Sequence, residues 1–233
     1  MQQLSHQFSL PAQYDLRRTK WLAGMGYSDP ARQFHGQQVA FGVDTPDGLA
    51  GVQASLNDSE LDIRCWGAGL DWLGPKLPPL FGLHDTPASF RPSDAKAINL
   101  VKQASGVYLV RLPRIFERLV QIVLQQLVSW TDAFRGWRLM VERYGRNLPG
   151  PLELRVGPSA ERLQGLGYYD LVDCHVLPKQ ARLILQLAKQ AKRIERLAEE
   201  DFPALCDYLL RIRGIGDWTV QYLRGTGWGD SDA

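Results

Sequence analysis

The chain has 233 residues, of which 45% are hydrophobic and 22% are charged, and its net charge is only +2. This composition is ordinary for a folded globular protein and argues against disorder. No apolar run approaches the roughly 18 residues needed to cross a bilayer, and the polar start is unlike a signal peptide. We therefore expect a cytoplasmic protein with no membrane partner.

The cysteines and histidines are scattered along the chain. Three cysteines occur without a Cys-x-x-Cys spacing, and four histidines are equally dispersed. This pattern is typical of buried thiols in a reducing compartment and indicates no metal site and no disulfide framework. The first hundred residues carry a net charge of −2 and the remainder a net charge of +4. The second part is the more basic, as phosphate contact requires, although a solvated helical surface explains this bias equally well.

The first hundred residues predict strands and turns. Apolar residues alternate with polar or small ones around Val39–Val43, Ala50–Leu56 and Leu61–Cys65, with turn residues between them. Such period-2 runs predict an antiparallel meander with one buried face. A short helix or strand is expected over Arg17–Gly24, and the proline-rich residues 74–93 are expected to form a loop with a short helix.

From Leu112 onward the apolar spacing becomes helical. A stripe from Ile115 to Leu127 predicts one helix, with Pro113 at its first position, and a second helix is expected from Trp130 to Tyr144. Shorter helices are expected after Pro158 and after Pro178. The predicted fold class is α+β, with an antiparallel sheet domain over residues 1–100 and an all-helical domain over residues 101–233.

The most informative segment is a predicted helix–hairpin–helix at residues 202–227. Asp201 is placed to cap the first helix, and Gly214-Ile215-Gly216 forms a turn before a second helix that starts near Trp218. The glycines allow a sharp turn, and Ile215 can plug the space between the helices. The turn leaves N–H groups at the start of the second helix without partners, where a phosphate can bind.

Each of these features also has a purely structural interpretation. A Gly-x-Gly turn occurs in many helical hairpins without a ligand. Leu127 continues the apolar stripe of its helix and fits a core position. Trp218 and Tyr222 stand four residues apart, and this spacing suits either the wall of a pocket or a packed aromatic pair.

The string Gly-Ile-Gly-x-Trp-Thr-x-x-Tyr resembles the helix–hairpin–helix DNA glycosylase superfamily, and within it the alkylation-repair branch of 3-methyladenine DNA glycosylase II. Tyr14-Asp15, Phe116-Glu117, Gln126-Leu127-Val128-Ser129 and Pro158 are similar to that branch in the same order. The resemblance implies a sheet domain like the repeat of the TATA-binding protein, beside a helical bundle. It also implies a monomeric, bacterial-type repair enzyme, associated with the nucleoid, that acts on double-stranded DNA with alkylated bases.

The resemblance further implies roles for individual residues. Gln126 and Leu127 match the wedge that fills the space left by an extruded base. Trp218 and Tyr222 match the base pocket, which Trp21 or Leu22 of the other domain would close. No cofactor is expected, apart from a monovalent cation that bridges hairpin carbonyls to a phosphate. The DNA backbone would be held at Arg213, Gly214, Ile215, Gly216, Trp218 and Thr219.

The resemblance also bears on the reaction. Members that cut the strand carry a nucleophilic lysine at the position of Trp218, and an indole cannot form a Schiff base, so simple hydrolysis is expected. The family's essential aspartate lies about twenty residues after this position, whereas Ala233 is only fifteen residues on. We do not assign its role to Asp230 or Asp232. The expectation is a C-terminally truncated glycosylase with no catalytic carboxylate, which binds damaged or abasic DNA with little base excision.

Two other functions remain open at this point. One is a non-catalytic DNA-binding or scaffold protein that retains the hairpin. The other is a small-molecule enzyme on an α+β scaffold, which the sequence disfavours because it shows no nucleotide loop, metal cluster or nucleophile–base pair.

Overall fold

The computed structural model describes residues 2–10, 13–21, 24–85 and 91–233, except for the side chain of Trp21. Leu22 and the side chain of Trp21 lie outside the described residues. The prediction that one of them closes the pocket therefore stays a prediction. The described chain forms an antiparallel sheet followed by a helical bundle. Its α+β class is the one predicted.

The sheet has five strands in the order β1-β5-β4-β3-β2, and all neighbouring strands are antiparallel. Alternate residues of its central strands form one core with the helices that follow the sheet. The strands and early helices are β1 (Gln3–Ser9), α1 (Leu16–Trp21), β2 (Arg32–His35), β3 (Gln38–Thr45), β4 (Gly48–Asn57), β5 (Glu60–Gly67), α2 (Leu70–Leu73) and α3 (Leu77–Leu80).

The helical part begins after α4 (Ala95–Gln103) and surrounds the long helix α9. Its core contains the apolar side chains of α5, α6 and α9, together with those of the hairpin helices. The elements are α5 (Phe116–Leu124), α6 (Trp130–Tyr144), β6 (Arg146–Leu148), β7 (Leu154–Val156), α7 (Ala160–Gln164), α8 (Tyr168–Val172), α9 (Pro178–Glu200), α10 (Phe202–Leu210), α11 (Asp217–Leu223) and a π-helical turn (Arg224–Trp228).

The central strands of the sheet are covered on both faces, which the prediction of one buried face missed. The small hairpin β6–β7 packs on the face away from the main sheet core. Gly42 makes this approach possible, because a β-carbon there would lie 2.3 Å from Cγ2 of Val156. The indole N–H of Trp66 donates to the carbonyl of Pro149 at 3.1 Å. These contacts fix the sheet against the helical part.

Other elements also differ from the sequence predictions. Strand β1 was not predicted, because only Leu4 and Phe8 in it are apolar. Helix α5 ends at Leu124, so Leu127 lies beyond it, and Pro113 precedes it by three residues. Helix α9 continues to Glu200, well past the predicted apolar positions, because one face stays against the core while the other is solvated.

The two largest cores lie mainly on opposite sides of α4, and the predicted boundary at residue 100 falls inside that helix. Met25 and Ala31 come from the N-terminal part but belong to the core of the bundle. A buried carboxylate holds them there. Asp29 accepts hydrogen bonds from the N–H of Met25, the N–H of Ala31 and the indole N–H of Trp137, at 2.8–3.0 Å. This segment therefore anchors the sheet domain to the bundle.

A second carboxylate is half-buried where the two parts meet. Glu117, in the first turn of α5, lines a cavity of about 390 Å³ beside the β3–β4 turn and accepts a hydrogen bond from the N–H of Gly157. Burial raises the pKa of Glu117 to about 7, although the charge of Arg32 opposes the rise. The negative charges of Asp29 and Asp44 raise the pKa of Glu117 further.

We predict that Glu117→Gln stabilises the protein more at pH 8 than at pH 5. Because the folded-state pKa lies above the ordinary value, the folded protein holds more protons than the unfolded chain between about pH 4.5 and 7, and stability falls as pH rises through this window. The glutamine removes this loss, so the gain in unfolding free energy should grow by about 1–2 kcal/mol between the two pH values. Urea denaturation at both pH values measures it, and an equal effect at both would contradict the prediction.

Candidate nucleic-acid interface

The predicted hairpin forms between α10 and α11. The carboxylate of Asp201 caps α10 by accepting the N–H of Ala204 at 2.9 Å. Gly214 has φ +103°, a left-handed conformation that L side chains rarely adopt, and this turns the chain between the helices. The side chain of Ile215 is 7% exposed and packs in the bundle core, as predicted for a plug.

The turn presents main-chain N–H groups to solvent. The N–H of Ile215 donates to the carbonyl of Ile212, and those of Thr219 and Val220 donate to the carbonyl of Gly216. Within the described chain, no acceptor pairs with the N–H groups of Gly214, Gly216, Asp217 or Trp218. A β-carbon added at Gly216 would meet no atom within 4 Å. The start of α11 is therefore an open, unpaired donor surface of the kind that binds an anion.

The charges at this turn are balanced. Arg213 and Asp217 are both exposed, on either side of the glycines. A phosphate bound here would therefore be recognised by the geometry of the amides more than by local net charge.

Thr219 does not lie on the outer surface of the hairpin. Its side chain is 2% exposed, and its Oγ1 accepts a hydrogen bond from Nε2 of Gln126 at 2.9 Å. The expected contact of Thr219 with the DNA backbone is therefore corrected, because its hydroxyl lies behind the turn and supports it.

Leu127 has the geometry of a wedge. Its side chain is 97% exposed, and its φ of +58° is left-handed, which costs a β-carbon-bearing residue about 1–2 kcal/mol. The core position suggested by the apolar stripe is excluded, because the helix has already ended. A strained, fully exposed leucine is unfavourable for the isolated protein, which indicates a use outside it.

Gln126 is turned the other way. Its Nε2 donates to the carbonyl of Gly214 at 3.1 Å and to Oγ1 of Thr219, so the side chain reaches the hairpin from the end of α5. Of the predicted Gln-Leu wedge, only the leucine points outward. The glutamine ties the wedge to the hairpin.

Trp218 and Tyr222 share one face of α11, and their ring centroids are 5.2 Å apart. Trp218 is 53% exposed, whereas Tyr222 is half-buried. The pair is therefore neither sealed in the core nor fully in solvent, and it offers an open indole beside a more protected phenol ring.

A buried arginine lies against Tyr222. The guanidinium of Arg118 is 5.2 Å from the centroid of the Tyr222 ring, and it donates to the carbonyl of Gly24 and to Oγ1 of Thr226 at 3.0 Å each. Burial lowers the pKa of Arg118 to about 10, while Tyr222 opposes this shift. Arg118 was not among the predicted site residues, since nothing in its spacing distinguishes it from the other polar residues of α5.

The two aspartates near Ala233 have local partners. Asp230 accepts from Nη2 of Arg224 at 2.6 Å and from the N–H of Asp232 at 3.0 Å. Hydrogen bonding from that N–H lowers the pKa of Asp230, and Arg224 lowers it further. Asp232 is exposed. The carboxylate of Asp230 is therefore engaged within the turn that contains Arg224 and Asp232.

No protein-family model matches the chain. It is 30% identical over 139 residues to a DNA-3-methyladenine glycosylase from Bacillus subtilis (strain 168). The matched segment covers 55% of this chain and 46% of that protein. The chain thus spans about half the length of this relative. Among solved structures, it is similar to a 3-methyladenine DNA-glycosylase from Archaeoglobus fulgidus, with a TM-score of 0.81 and 19% identity over 97% of this chain and 80% of that one.

A Clostridium acetobutylicum 8-oxoguanine glycosylase/lyase, solved in complex with double-stranded DNA, is also similar. Its TM-score is 0.59 at 11% identity, covering 84% of this chain and 78% of that chain. These comparisons confirm the resemblance found in the sequence. The chain shares the α+β fold of these two solved glycosylase structures.

We predict that Leu127→Gly stabilises the protein by about 0.5–1 kcal/mol, because the relief of left-handed strain exceeds the extra backbone entropy that glycine loses on folding. The exposed side chain contributes no packing that would be lost. Urea denaturation of the two proteins measures the difference.

Leu127→Ala is the matched control. It removes the same exposed side chain but keeps a β-carbon in the left-handed conformation, so its stability should stay near that of the wild type. His175→Gly relieves similar strain at an exposed position with φ +60° and should also stabilise. Equal stability of the glycine and alanine variants at residue 127 would refute the strain argument.

Proposed function

We propose that the chain carries the DNA-gripping, base-extruding and base-holding parts of a DNA glycosylase of base excision repair. We further propose that it binds alkylated purines in double-stranded DNA, and that the reaction these parts serve is hydrolysis of the glycosidic bond without strand cleavage. The supporting observation is that Gln126, next to a strained and exposed leucine, is hydrogen-bonded to the hairpin, which carries unpaired amides and an open indole.

Each part answers a physical requirement of the reaction. A base inside a duplex must be rotated out before its glycosidic bond can be reached, at a cost of a few kcal/mol in stacking and pairing. An apolar side chain such as Leu127 can fill the resulting gap and keep the base from returning. Main-chain amides at Gly214–Trp218 can hold a phosphate without reading sequence, which suits an enzyme that inspects any DNA.

The aromatic pair supports a cationic substrate. Alkylation at a ring nitrogen gives a purine a positive charge, and an aromatic face attracts a cation by about 0.5–2 kcal/mol. Because the guanidinium of Arg118 already lies against Tyr222, the ring available for this attraction is the exposed indole of Trp218. We therefore assign the stacking role to Trp218, with Tyr222 as its support.

Strand cleavage by this family requires a lysine at position 218, and the indole there cannot attack the sugar. Hydrolysis still needs negative charge to stabilise the developing cation of the sugar. We assign that charge to neither Asp230 nor Asp232, since the first is held by Arg224.

A monovalent cation at the hairpin is part of the same proposal. The carbonyl of Gly214 is engaged by Gln126, whereas no hydrogen bond in the described chain reaches the carbonyls of Arg211 or Arg213. These two carbonyls are the oxygen donors that would hold the ion, and the ion would add positive charge beside a bound phosphate.

We predict that Gly216→Asp lowers the affinity for duplex DNA at least tenfold. Aspartate is a favoured N-cap residue, and the extended backbone of Gly216 accommodates it, so α11 should remain folded. Its carboxylate would occupy the free amides and repel phosphate. Fluorescence anisotropy with a labelled duplex at low salt measures the affinity.

Gly165→Asp is the control for added charge, because Gly165 is also exposed and has room for a side chain at the end of α7. It should change affinity less than twofold. If both variants bind DNA as the wild type does, the hairpin is not the site of contact.

We predict that the protein prefers a duplex containing 7-methylguanine on a 2′-fluorinated sugar over the same duplex with guanine. The methylated base is cationic, and the fluorine on the sugar makes it resist release. The preference should be about tenfold, and Trp218→Leu should abolish it, because one aromatic contact of about 1.4 kcal/mol accounts for that ratio. Competition anisotropy gives the ratio of affinities.

Trp130→Leu, which removes another half-exposed tryptophan, should leave the preference unchanged. Binding of both duplexes with equal affinity by the wild type would favour instead a DNA-binding protein that does not recognise alkylated bases.

A further inference from the structure

A buried glutamine of α9 is hydrogen-bonded to the backbone just before Leu127. Gln180 lies in the first turn of α9 and is 5% exposed. Its Nε2 donates to the carbonyl of Leu124 at 3.1 Å and to the carbonyl of Gln126 at 2.9 Å. Its Oε1 accepts the N–H of Leu177 at 3.1 Å. The amide therefore joins the start of α9 to the end of α5.

The carbonyls it binds immediately precede the wedge. A helix end leaves its last carbonyls without partners, and a left-handed residue after the end usually supplies main-chain N–H groups to them. In the described chain, no such bond runs from the N–H of Leu127 or Val128 to the last turn of α5. Gln180 provides the hydrogen bonds instead, from a different helix.

A second amide continues the connection. Gln126, whose carbonyl accepts from Gln180, donates through its own Nε2 to the hairpin at Gly214 and Thr219. Two glutamine amides thus connect three elements in sequence, which are α9, the wedge and the hairpin. Leu127 projects from the middle of this connection.

We propose that Gln180 is a positioning residue that holds Leu127 in its projecting conformation and, through Gln126, fixes the wedge relative to the hairpin amides. The hairpin amides that bind phosphate and the leucine that inserts into the duplex then belong to one rigid unit. This inference rests on the proposed function, since it assigns a purpose to the projecting leucine.

The test compares Gln180→Met, which keeps the shape of the side chain and removes its hydrogen bonds, with the wild type. DNA distortion is read from 2-aminopurine fluorescence beside a tetrahydrofuran abasic site, and grip is read from affinity for an unmodified duplex. We expect the fluorescence increase to fall at least fivefold, while affinity for the unmodified duplex changes less than twofold because the hairpin amides are untouched. An unchanged fluorescence increase overturns the proposal.

Two comparisons separate positioning from general loss of stability. Gln190→Met removes another glutamine of α9, whose Oε1 accepts the hydroxyl of Tyr208, and should leave the fluorescence increase intact. In a Leu127→Ala background, Gln180→Met should cause no further loss, because the side chain it positions is already gone. Additive losses in the double variant would show that Gln180 acts by another route.

A measurement without DNA distinguishes the failure of this inference from failure of the proposed function. Hydrogen exchange of the amides over residues 124–130 should accelerate at least tenfold in Gln180→Met. If exchange is unchanged, Gln180 does not hold the wedge, whatever the DNA results. If exchange accelerates but the wild type neither binds nor distorts DNA, the proposed function is wrong and the assigned purpose fails with it.

Discussion

The hydrogen bonds of Gln126 to the hairpin are the contacts on which the interface depends. Without them, Leu127 would be an exposed residue at the end of one helix, and Gly214–Trp218 would be an ordinary turn between two others. The amide of Gln126 reaches both the carbonyl of Gly214 and the hydroxyl of Thr219, so it fixes the two features in one geometry. These hydrogen bonds join neutral groups, and Thr219 is buried. Salt should therefore weaken them far less than it weakens the contact between the amides and phosphate.

The proposed interface would allow a chain with a net charge of only +2 to bind DNA. Lysine-rich surfaces bind phosphate strongly at many places, but they do not set the position of the duplex. The amides at the start of α11 point in fixed directions, and the negative charge of the adjacent Asp217 leaves little net charge to attract anions from a distance. Such a surface binds DNA less tightly but fixes the position of the duplex on the protein. A wedge and a base pocket at fixed distances require that fixed position.

The sequence predicted what depends on local pattern. Strand alternation, the N-cap at Asp201 and the plug at Ile215 are all set by residues near one another in the chain, and all are present. Leu127 stayed ambiguous because its conformation is decided by Gln180, which lies 53 positions later. Thr219 was misplaced for the same reason, since its partner Gln126 lies in the turn after α5, far away in the sequence. Contacts between distant segments leave no periodic signal, so sequence reasoning could not find them.

Arg118 bears on which ring can receive a charged base. Its guanidinium is buried and lies against Tyr222, and it is held by the carbonyl of Gly24, which belongs to the N-terminal part. Packing between the two parts therefore places a fixed positive charge next to the half-buried ring. A second cation near that charge would be repelled, while the exposed indole of Trp218 lies toward solvent, where the repulsion is better screened. The buried Arg118 thus leaves Trp218, and not Tyr222, as the ring that can stack on a charged base. A neutral base would not be repelled by Arg118.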